Sequence, residues 1–263
     1  MAGVARRSSS GSRPHGRHFL RSRRLAEALV ADAGIGAGDL VLDLGAGAGA
    51  LTRALAERGA RVWAVELDAV LVDELRRRFA GTSVRVLRAD ATRFRWPAEP
   101  FKVVANLPFG SAAAILRALL DDPAVPLVSA DLVVQWELAA KRAAVWPSTF
   151  AGAYWGAWYR FAIARRLPPC AFAPPPSVDA GVLRVERRVE PLVSERDHVA
   201  YRAFVKRGFA AGRPFVPPLA FKRLGRELGF DPHAHARDLD PAQWAALFRW
   251  ERDRAGRRTV VGP

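Results

Sequence analysis

Leu40-Val41-Leu42-Asp43-Leu44-Gly45-Ala46-Gly47-Ala48-Gly49 is the stretch on which the fold turns. A short apolar run leads into three glycines at alternate positions, and residues 50–58 then show helical periodicity. A strand that passes through glycines into a helix is a typical opening of an α/β sheet, because glycine lets the backbone turn sharply and approach a ligand closely. Alone the signal is weak, since a chain rich in Gly and Ala produces it by chance.

Working outward strengthens it. Further apolar runs follow at Arg61–Glu66, Val84–Leu87, Val103–Ala105 and Leu132–Val134, and the intervening segments around 68–79 and 111–120 have helical periodicity. Alternating strand and helix predicts an α/β fold, a parallel sheet with helices on both faces. Ahead of it, Leu25 to about Ala33 reads as a helix. Past residue 145 the pattern changes. Trp155–Ile163 and Gly181–Val185 read as two strands joined by the Pro-rich loop Leu167–Ser177, an antiparallel edge. From about residue 190, Pro191, Pro214, Pro217-Pro218 and Pro232 punctuate short helical segments. The organisation expected is a flexible basic arm over 1–16, an α/β domain over 17–187, and a small helical domain with a basic tail over 188–263.

Half of the 263 residues are hydrophobic, enough for a packed core, and no apolar run approaches the roughly 20 residues that cross a bilayer. The basic start runs into Leu25-Ala26-Glu27 rather than an apolar signal segment, so a cytoplasmic protein without membrane contact is expected. The single Cys170 excludes an internal disulfide and a cysteine-based zinc site, and no metal is expected. The formal charge of +15 points to a polyanionic partner such as nucleic acid. That 37 of the 41 basic residues are Arg reads equally as the mark of a GC-rich genome. Placement is more telling than the total. Residues 1–40 carry +4, residues 41–180 only +4 over a far longer stretch, and residues 181–263 carry +7.

Acids mark the strand ends. Glu66 closes the second strand 21 residues beyond Gly45, where a carboxylate accepts both hydroxyl protons of a ribose. Two cofactors compete for such a site. A dinucleotide favours G-x-G-x-x-G, whereas this loop reads G-x-G-x-G with Asp43 just ahead. Acids around the loop disfavour a pyrophosphate and suit a cationic ligand such as the amino-acid end of S-adenosylmethionine. Asp90, after the third strand, is placed to accept from an adenine amino group. Any one of these acids is as well read as a strand-end cap; three in order with the Gly loop are not.

Asn106-Leu107-Pro108-Phe109 follows the fourth strand. An exocyclic adenine amine is a poor nucleophile because its lone pair is delocalised into the ring. Accepting its protons on the Asn side chain and a backbone carbonyl, which Pro108 helps to present, frees that lone pair, and an aromatic at Phe109 stacks on the flipped base. An isolated tetrapeptide of this kind would read as an Asn cap before a proline turn; its place at a strand end favours methyl transfer.

With the Gly loop, this tetrapeptide resembles the N/D-[LI]-P-[YF] motif of amino-methyltransferases. More narrowly the chain resembles the Erm-type 23S rRNA (adenine-N6) methyltransferases. The likeness rests also on Gly16-Arg17-His18-Phe19-Leu20, Val134–Arg142, Phe172–Asp179 and Tyr201–Phe209, and it spans about residues 15–215 in order. The resemblance implies a Rossmann-like S-adenosylmethionine-dependent methyltransferase sheet with a small C-terminal α-helical domain, over 188–263, that binds RNA. It implies S-adenosyl-L-methionine as cofactor, contacted by His18, Leu20, Gly45, Gly47, Gly49, Glu66, Asp90 and Asn106. It places Asn106, Leu107, Pro108, Phe109 and Phe172 around the target adenine. It implies as partner 23S rRNA, protein-free or in early assembly, and a monomeric enzyme conferring macrolide–lincosamide–streptogramin B resistance by N6 mono- or dimethylation. Arg17-His18 stands where the family usually has Gln-Asn, and Phe109 where many members have Tyr. The alternatives are a small-subunit (16S) rRNA adenine dimethyltransferase of ribosome assembly, which Leu107 favours slightly, and a non-catalytic rRNA-binding factor on the same fold. The Phe204–Phe209 stretch and the Glu137…Lys141-Arg142 spacing favour the resistance enzymes.

Overall fold

The computed structural model describes residues 18–259, so the 1–16 arm and Arg17 lie outside the described residues. Five parallel strands form the larger part of a seven-stranded sheet: β2 (Leu40–Leu44), β3 (Arg61–Glu66), β4 (Arg85–Arg88), β5 (Phe101–Asn106) and β6 (Leu127–Gln135). Their order is β4-β3-β2-β5-β6, continued by β9 (Ala180–Arg187) and then β7 (Tyr159–Leu167). The last two are antiparallel to their neighbours, which gives the antiparallel edge that the sequence predicts. The strand order reverses between β2 and β5, and that reversal opens a crevice at the carboxyl ends of these two strands.

The central strands are buried on both faces, which is why they read as continuous apolar runs. Leu40, Leu42 and Leu44 face the side covered by α4 (Ala112–Leu120), while Val41 packs beneath α1 (Arg23–Asp32) and α2 (Ala50–Glu57). Edge strand β4 is the exception, with Arg85 and Arg88 exposed, as befits a strand with one open side. Helix α3 (Ala69–Arg78) starts where the Asp68 carboxylate accepts from the Val70 amide at 2.9 Å. Two residues, Phe19–Leu20, form β1 and pair antiparallel with β8 (Phe172–Ala173), a two-stranded ladder apart from the main sheet.

The Trp155–Ile163 strand needs correction. After α5 (Trp136–Ala143), residues Phe150–Trp155 form helix α6, started by the Thr149 hydroxyl accepting from the Gly152 amide at 3.0 Å, and β7 begins only at Tyr159. Tyr154, Trp155 and Trp158 are all fully buried, so the segment is apolar on every side and no period can be read from it. The Pro-rich loop likewise holds β8, whose two residues are too short to leave a pattern.

The C-terminal segments form α7 (His198–Ala210), α8 (Pro218–Leu228) and the longer α9 (Pro241–Thr259). They do not sit apart from the sheet. Tyr154 meets Trp158 edge-on at 5.2 Å, Trp158 meets Tyr201 at 5.7 Å, and Tyr201 meets Phe248 at 5.2 Å, a chain of edge-to-face rings from α6 to α9. The Tyr201 hydroxyl donates to the Ala153 carbonyl at 3.0 Å, and burial pushes that phenol well above its ordinary range. One apolar core therefore runs from β2 to α9. Three of the eight tryptophans, Trp155, Trp158 and Trp244, are fully buried within it.

Helix α7 touches α9 through Gly208, where an added Cβ would lie 2.4 Å from the Trp244 ring. That ring is rigid and fully buried and stacks on Phe209 at 5.4 Å, so it has nowhere to go. Overpacking costs about 1–3 kcal/mol, which outweighs the gain of at most about 1 kcal/mol that alanine brings to a helix interior. Gly208→Ala is expected to lower the melting temperature by several degrees in calorimetry.

Candidate active site

At the crevice lies a cavity of about 340 Å³, within the range of small-molecule sites. Its lining brings together His18, Gly45, Gly47, Glu66, Asp90, Asn106, Leu107, Pro108 and Phe109 from five separate stretches of chain. Of the residues singled out in the sequence, Leu20, Asp43, Gly49 and Phe172 are not in the lining. Gly49 precedes the first turn of α2 at φ +78°, and Phe172 is fully buried, its ring edge-on to Phe109 at 6.4 Å. Phe19, Leu67, Ala91, Ser111 and Ile115 also line the cavity. Leu67 and Ala91 directly follow the two lining acids, so a reading that extended one residue past each acid would have found them.

The glycine loop is shaped by its neighbours. Gly45 and Gly47 have φ of +71° and +55°, a region that L side chains rarely enter. A Cβ on Gly47 would fall 2.7 Å from the Phe19 ring, and one on Gly45 would lie 3.2 Å from Pro108. The loop is thus a cradle with its walls already in place: β1 on one side, the tetrapeptide on the other. Backbone hydrogen bonds hold it, with the Gly45 and Ala46 amides donating to the Val65 carbonyl at 2.8 and 3.0 Å.

The three acids separate into different roles. Asp43 faces away from the cavity, under α2, where its carboxyl accepts from the Thr52 hydroxyl at 2.6 Å. The period of two along β2 puts it on the Val41 face, so the expectation that it meets a cationic ligand is corrected. Burial pushes this carboxyl up to about 7, against the Thr52 hydrogen bond that favours its ionised form. Glu66 is nearly buried: Oε2 accepts from Gly47 at 2.9 Å, and Oε1 accepts from Leu67 and Asp68 at 2.9 and 3.0 Å. It ties the glycine loop to the end of β3, a structural duty that its sequence position did not reveal. Asp90 is exposed. The Thr92 amide and hydroxyl both donate to its Oδ1, at 2.8 and 2.7 Å, and hold its carboxyl below the usual range.

Asn106 ends β5 with its amide pinned. Nδ2 donates to the His18 carbonyl at 2.7 Å, which fixes which way the amide lies, because a carbonyl can only accept. Its Oδ1 is buried, and among the described residues it has no hydrogen-bond partner. A buried acceptor left unpaired is costly, about 1–3 kcal/mol, and at the wall of a cavity it is an acceptor waiting for a donor. Leu107 carries the chain onward with its amide on the Val133 carbonyl at 3.0 Å and its side chain in the core. The Pro108 carbonyl then accepts from Ser111 and Ala112, both at 3.0 Å, and starts α4. Phe109 is left half-buried, beside the cavity and against the His18 ring at 5.2 Å. The site can therefore hold a flat base with an amino group against one acceptor and one aromatic face. Among the described residues no group of three His, Cys, Asp or Glu is placed to hold a metal, and no helix is long and apolar enough to cross a membrane.

The chain shares its sequence with known proteins over most of its length. The family model described as ribosomal RNA adenine dimethylase matches residues 9–214. An rRNA adenine N-6-methyltransferase of Corynebacterium diphtheriae is 36% identical over 76% of this chain and 78% of its own. The mycinamicin-resistance protein MyrB of Micromonospora griseorubida is 35% identical over 94% of this chain and 81% of its own. The ribosomal RNA small subunit methyltransferase A of Rubrobacter xylanophilus is 35% identical over 89% of this chain and 92% of its own. Among solved structures, the 23S rRNA methyltransferase ErmE superimposes with a TM-score of 0.76 at 28% identity, covering 88% of this chain and 98% of that one.

The buried Asp43 carboxyl makes stability depend on pH. Its folded value of about 7 lies above the ordinary 3.8, so the folded state holds the proton more tightly. The stabilisation is complete below about pH 4 and is lost as pH rises towards 7, up to about 4 kcal/mol in all. Asn at this position still accepts from Thr52 but does not titrate. Denaturant titrations of wild type and Asp43→Asn from pH 4 to pH 8 are expected to show wild type losing stability relative to the variant over that window, with the difference levelling off above about pH 8.

Proposed function

Because the chain belongs to the ribosomal RNA adenine dimethylase family and is an rRNA adenine-N6 methyltransferase, we propose that its target is one adenine of 23S rRNA. We further propose S-adenosylmethionine as the methyl donor and resistance to macrolide, lincosamide and streptogramin B antibiotics as the outcome. The methyl group on N6 would project into the drug site and remove a hydrogen-bond donor there. Support for the large-subunit target comes from the Phe204–Phe209 stretch, the Glu137…Lys141-Arg142 spacing, the coverage shared with the mycinamicin-resistance protein and the likeness to ErmE. A small-subunit target is the second reading, favoured by Leu107 and by the 35% identity to the Rubrobacter enzyme.

The residues present fit the proposed donor. The cradle at Gly45 and Gly47 admits no side chain, so its backbone can lie against a ligand. Glu66 and Asp90 at the lining suit a ligand with hydroxyl and amino groups and a net cation. Leu20, Gly49 and Asn106 complete the proposed contacts, with Leu20 and Gly49 acting through β1 and α2 rather than from the lining, and His18, which the resemblance also implies as a contact, acting through its carbonyl on Asn106. When bound, S-adenosylmethionine supplies a methyl group on a positively charged sulfur.

The observation that carries the mechanism is the unpaired, buried Oδ1 of Asn106. With the base out of its stack, Oδ1 and the Leu107 carbonyl accept the two N6 protons. Both acceptors pull the nitrogen towards tetrahedral geometry and free its lone pair. Because Nδ2 is tied to His18, the amide cannot turn to present a donor instead. Phe109 holds the ring plane and offers its negative face to the charge passing beside it. Phe172 stands behind Phe109 and fixes its tilt, an indirect role in place of the direct base contact implied by resemblance. No side chain need act as a strong base, since the alkylated amine loses its proton readily.

Two measurements test this. Radiolabel from the donor should enter protein-free 23S rRNA and not 16S rRNA; label in 16S rRNA alone would establish the second reading, and label in neither would overturn both. Phe109→Ala should lower turnover about 5- to 150-fold, the span expected from losing one base–aromatic stack. Cofactor affinity measured by calorimetry should stay within about twofold of wild type. A large loss of that affinity would place Phe109 against the cofactor and not the base.

A further inference from the structure

His18 sits at the joint of three chain segments that are far apart in sequence. Its carbonyl accepts from Asn106 Nδ2 at 2.7 Å. Its Nδ1 lies 2.9 Å from the Pro174 carbonyl, and its ring packs 5.2 Å from that of Phe109 at 46°. A carbonyl accepts only, so Nδ1 is the ring nitrogen that carries a proton and donates. We propose that His18 is a positioning residue for the target base, a clamp that locks the Asn106–Phe109 segment to the Phe172–Pro174 loop through its side-chain bond to Pro174. The proposal rests on the methyl-transfer reading above, and it differs from the cofactor contact that the resemblance implies for this position.

The physical case begins with β1 and β8. Each has only two residues, paired as Phe19↔Ala173 and Leu20↔Phe172. So short a ladder is marginal without support. The next rung would set His18 opposite Pro174, and proline has no amide proton to give. The His18 ring supplies the missing donor from the other side and lengthens the ladder by one bond. Beyond that bond, the Phe109 ring meets His18 on one side and Phe172, on β8, edge-on. Strand β1, the tetrapeptide and the loop thus form a closed circuit: His18 to Phe109, Phe109 to Phe172, and Phe172 back across the ladder to Leu20. Were the His18–Pro174 bond lost, the carbonyl that pins Asn106 would be free to drift, and Oδ1 with it. A displacement of about 1 Å in such a site lowers the rate about 100-fold.

Three variants separate the donor from the ring. His18→Ala removes both, His18→Phe keeps a ring without the donor, and His18→Asn keeps an N–H donor without the ring. For His18→Ala and His18→Phe we expect kcat on 23S rRNA to fall about 10- to 100-fold, with cofactor affinity by calorimetry within about threefold of wild type. His18→Asn should recover kcat to within about threefold of wild type. Hydrogen exchange followed by mass spectrometry gives a readout independent of activity. Peptides covering residues 18–21 and 171–174 should exchange about 5- to 10-fold faster in His18→Ala and His18→Phe but not in His18→Asn. Unchanged exchange in both variants overturns the clamp. So does a loss of cofactor affinity in step with kcat, which would make His18 a cofactor contact, or recovery by Phe and not by Asn, which would leave only ring packing. If His18→Ala does not fold, the contrast between Phe and Asn decides. If wild type methylates no rRNA, the methyl-transfer reading falls, and the exchange result still decides the clamp.

Discussion

The proposed chemistry depends on a single hydrogen bond, the Asn106 side-chain nitrogen on the His18 carbonyl. An amide can present either a donor or an acceptor to a neighbour, and only an acceptor draws the protons off an adenine amine. By holding Nδ2, the N-terminal strand decides which of the two Asn106 presents. Much of the surrounding structure serves to keep that pair in place. β5 carries Asn106 to the point where the strand order reverses. Leu107 anchors the next residue in the core and on β6, and Pro108 turns the chain into α4 while packing against Gly45. On the other side, Phe19 lies against Gly47, so the strand that supplies the His18 carbonyl also closes one wall of the cradle.

Charge is distributed by the same logic. The sheet region is only mildly basic because its acids are spent on the fold and the cavity. Asp43 is buried beneath α2, Glu66 closes the loop through three backbone amides, and Asp90 stays exposed at the cavity rim. Along the sequence the basic excess is densest toward the two ends, a division that suits the proposed pairing of a small cationic cofactor with a large polyanion. The C-terminal helices do not hang from the sheet as a loose appendage. The rings of Tyr154, Trp158, Tyr201 and Phe248 make them continuous with it. A surface for RNA built on these helices would move little relative to the active site.

The parallel sheet was legible because strands buried on both faces write themselves as plain apolar runs, and because three of the four connections between the parallel strands are helices with a clear period. The glycine loop, Glu66, Asp90 and Asn106–Phe109 were legible for a related reason: in such sheets the residues just past strand ends meet at one edge. Where those conditions failed, so did the reading. Residues 155–158 are apolar on every side and carry no period, and β1 and β8 are too short to have one. Asp43 sits within a strand, and its chemistry depended on which face of the sheet it took.

By itself the sequence determined the fold class, the edge of the sheet where ligands bind and the residue types gathered there, because periodicity and strand-end position are properties of the chain alone. Tertiary structure decided the rest. It turned Asp43 inward, set Glu66 to hold a loop, moved Phe172 behind Phe109 and brought His18 to Asn106 across 88 positions. Those outcomes turn on contacts between segments distant in sequence, where the direction of a side chain and the identity of its partner exist only once the chain has packed.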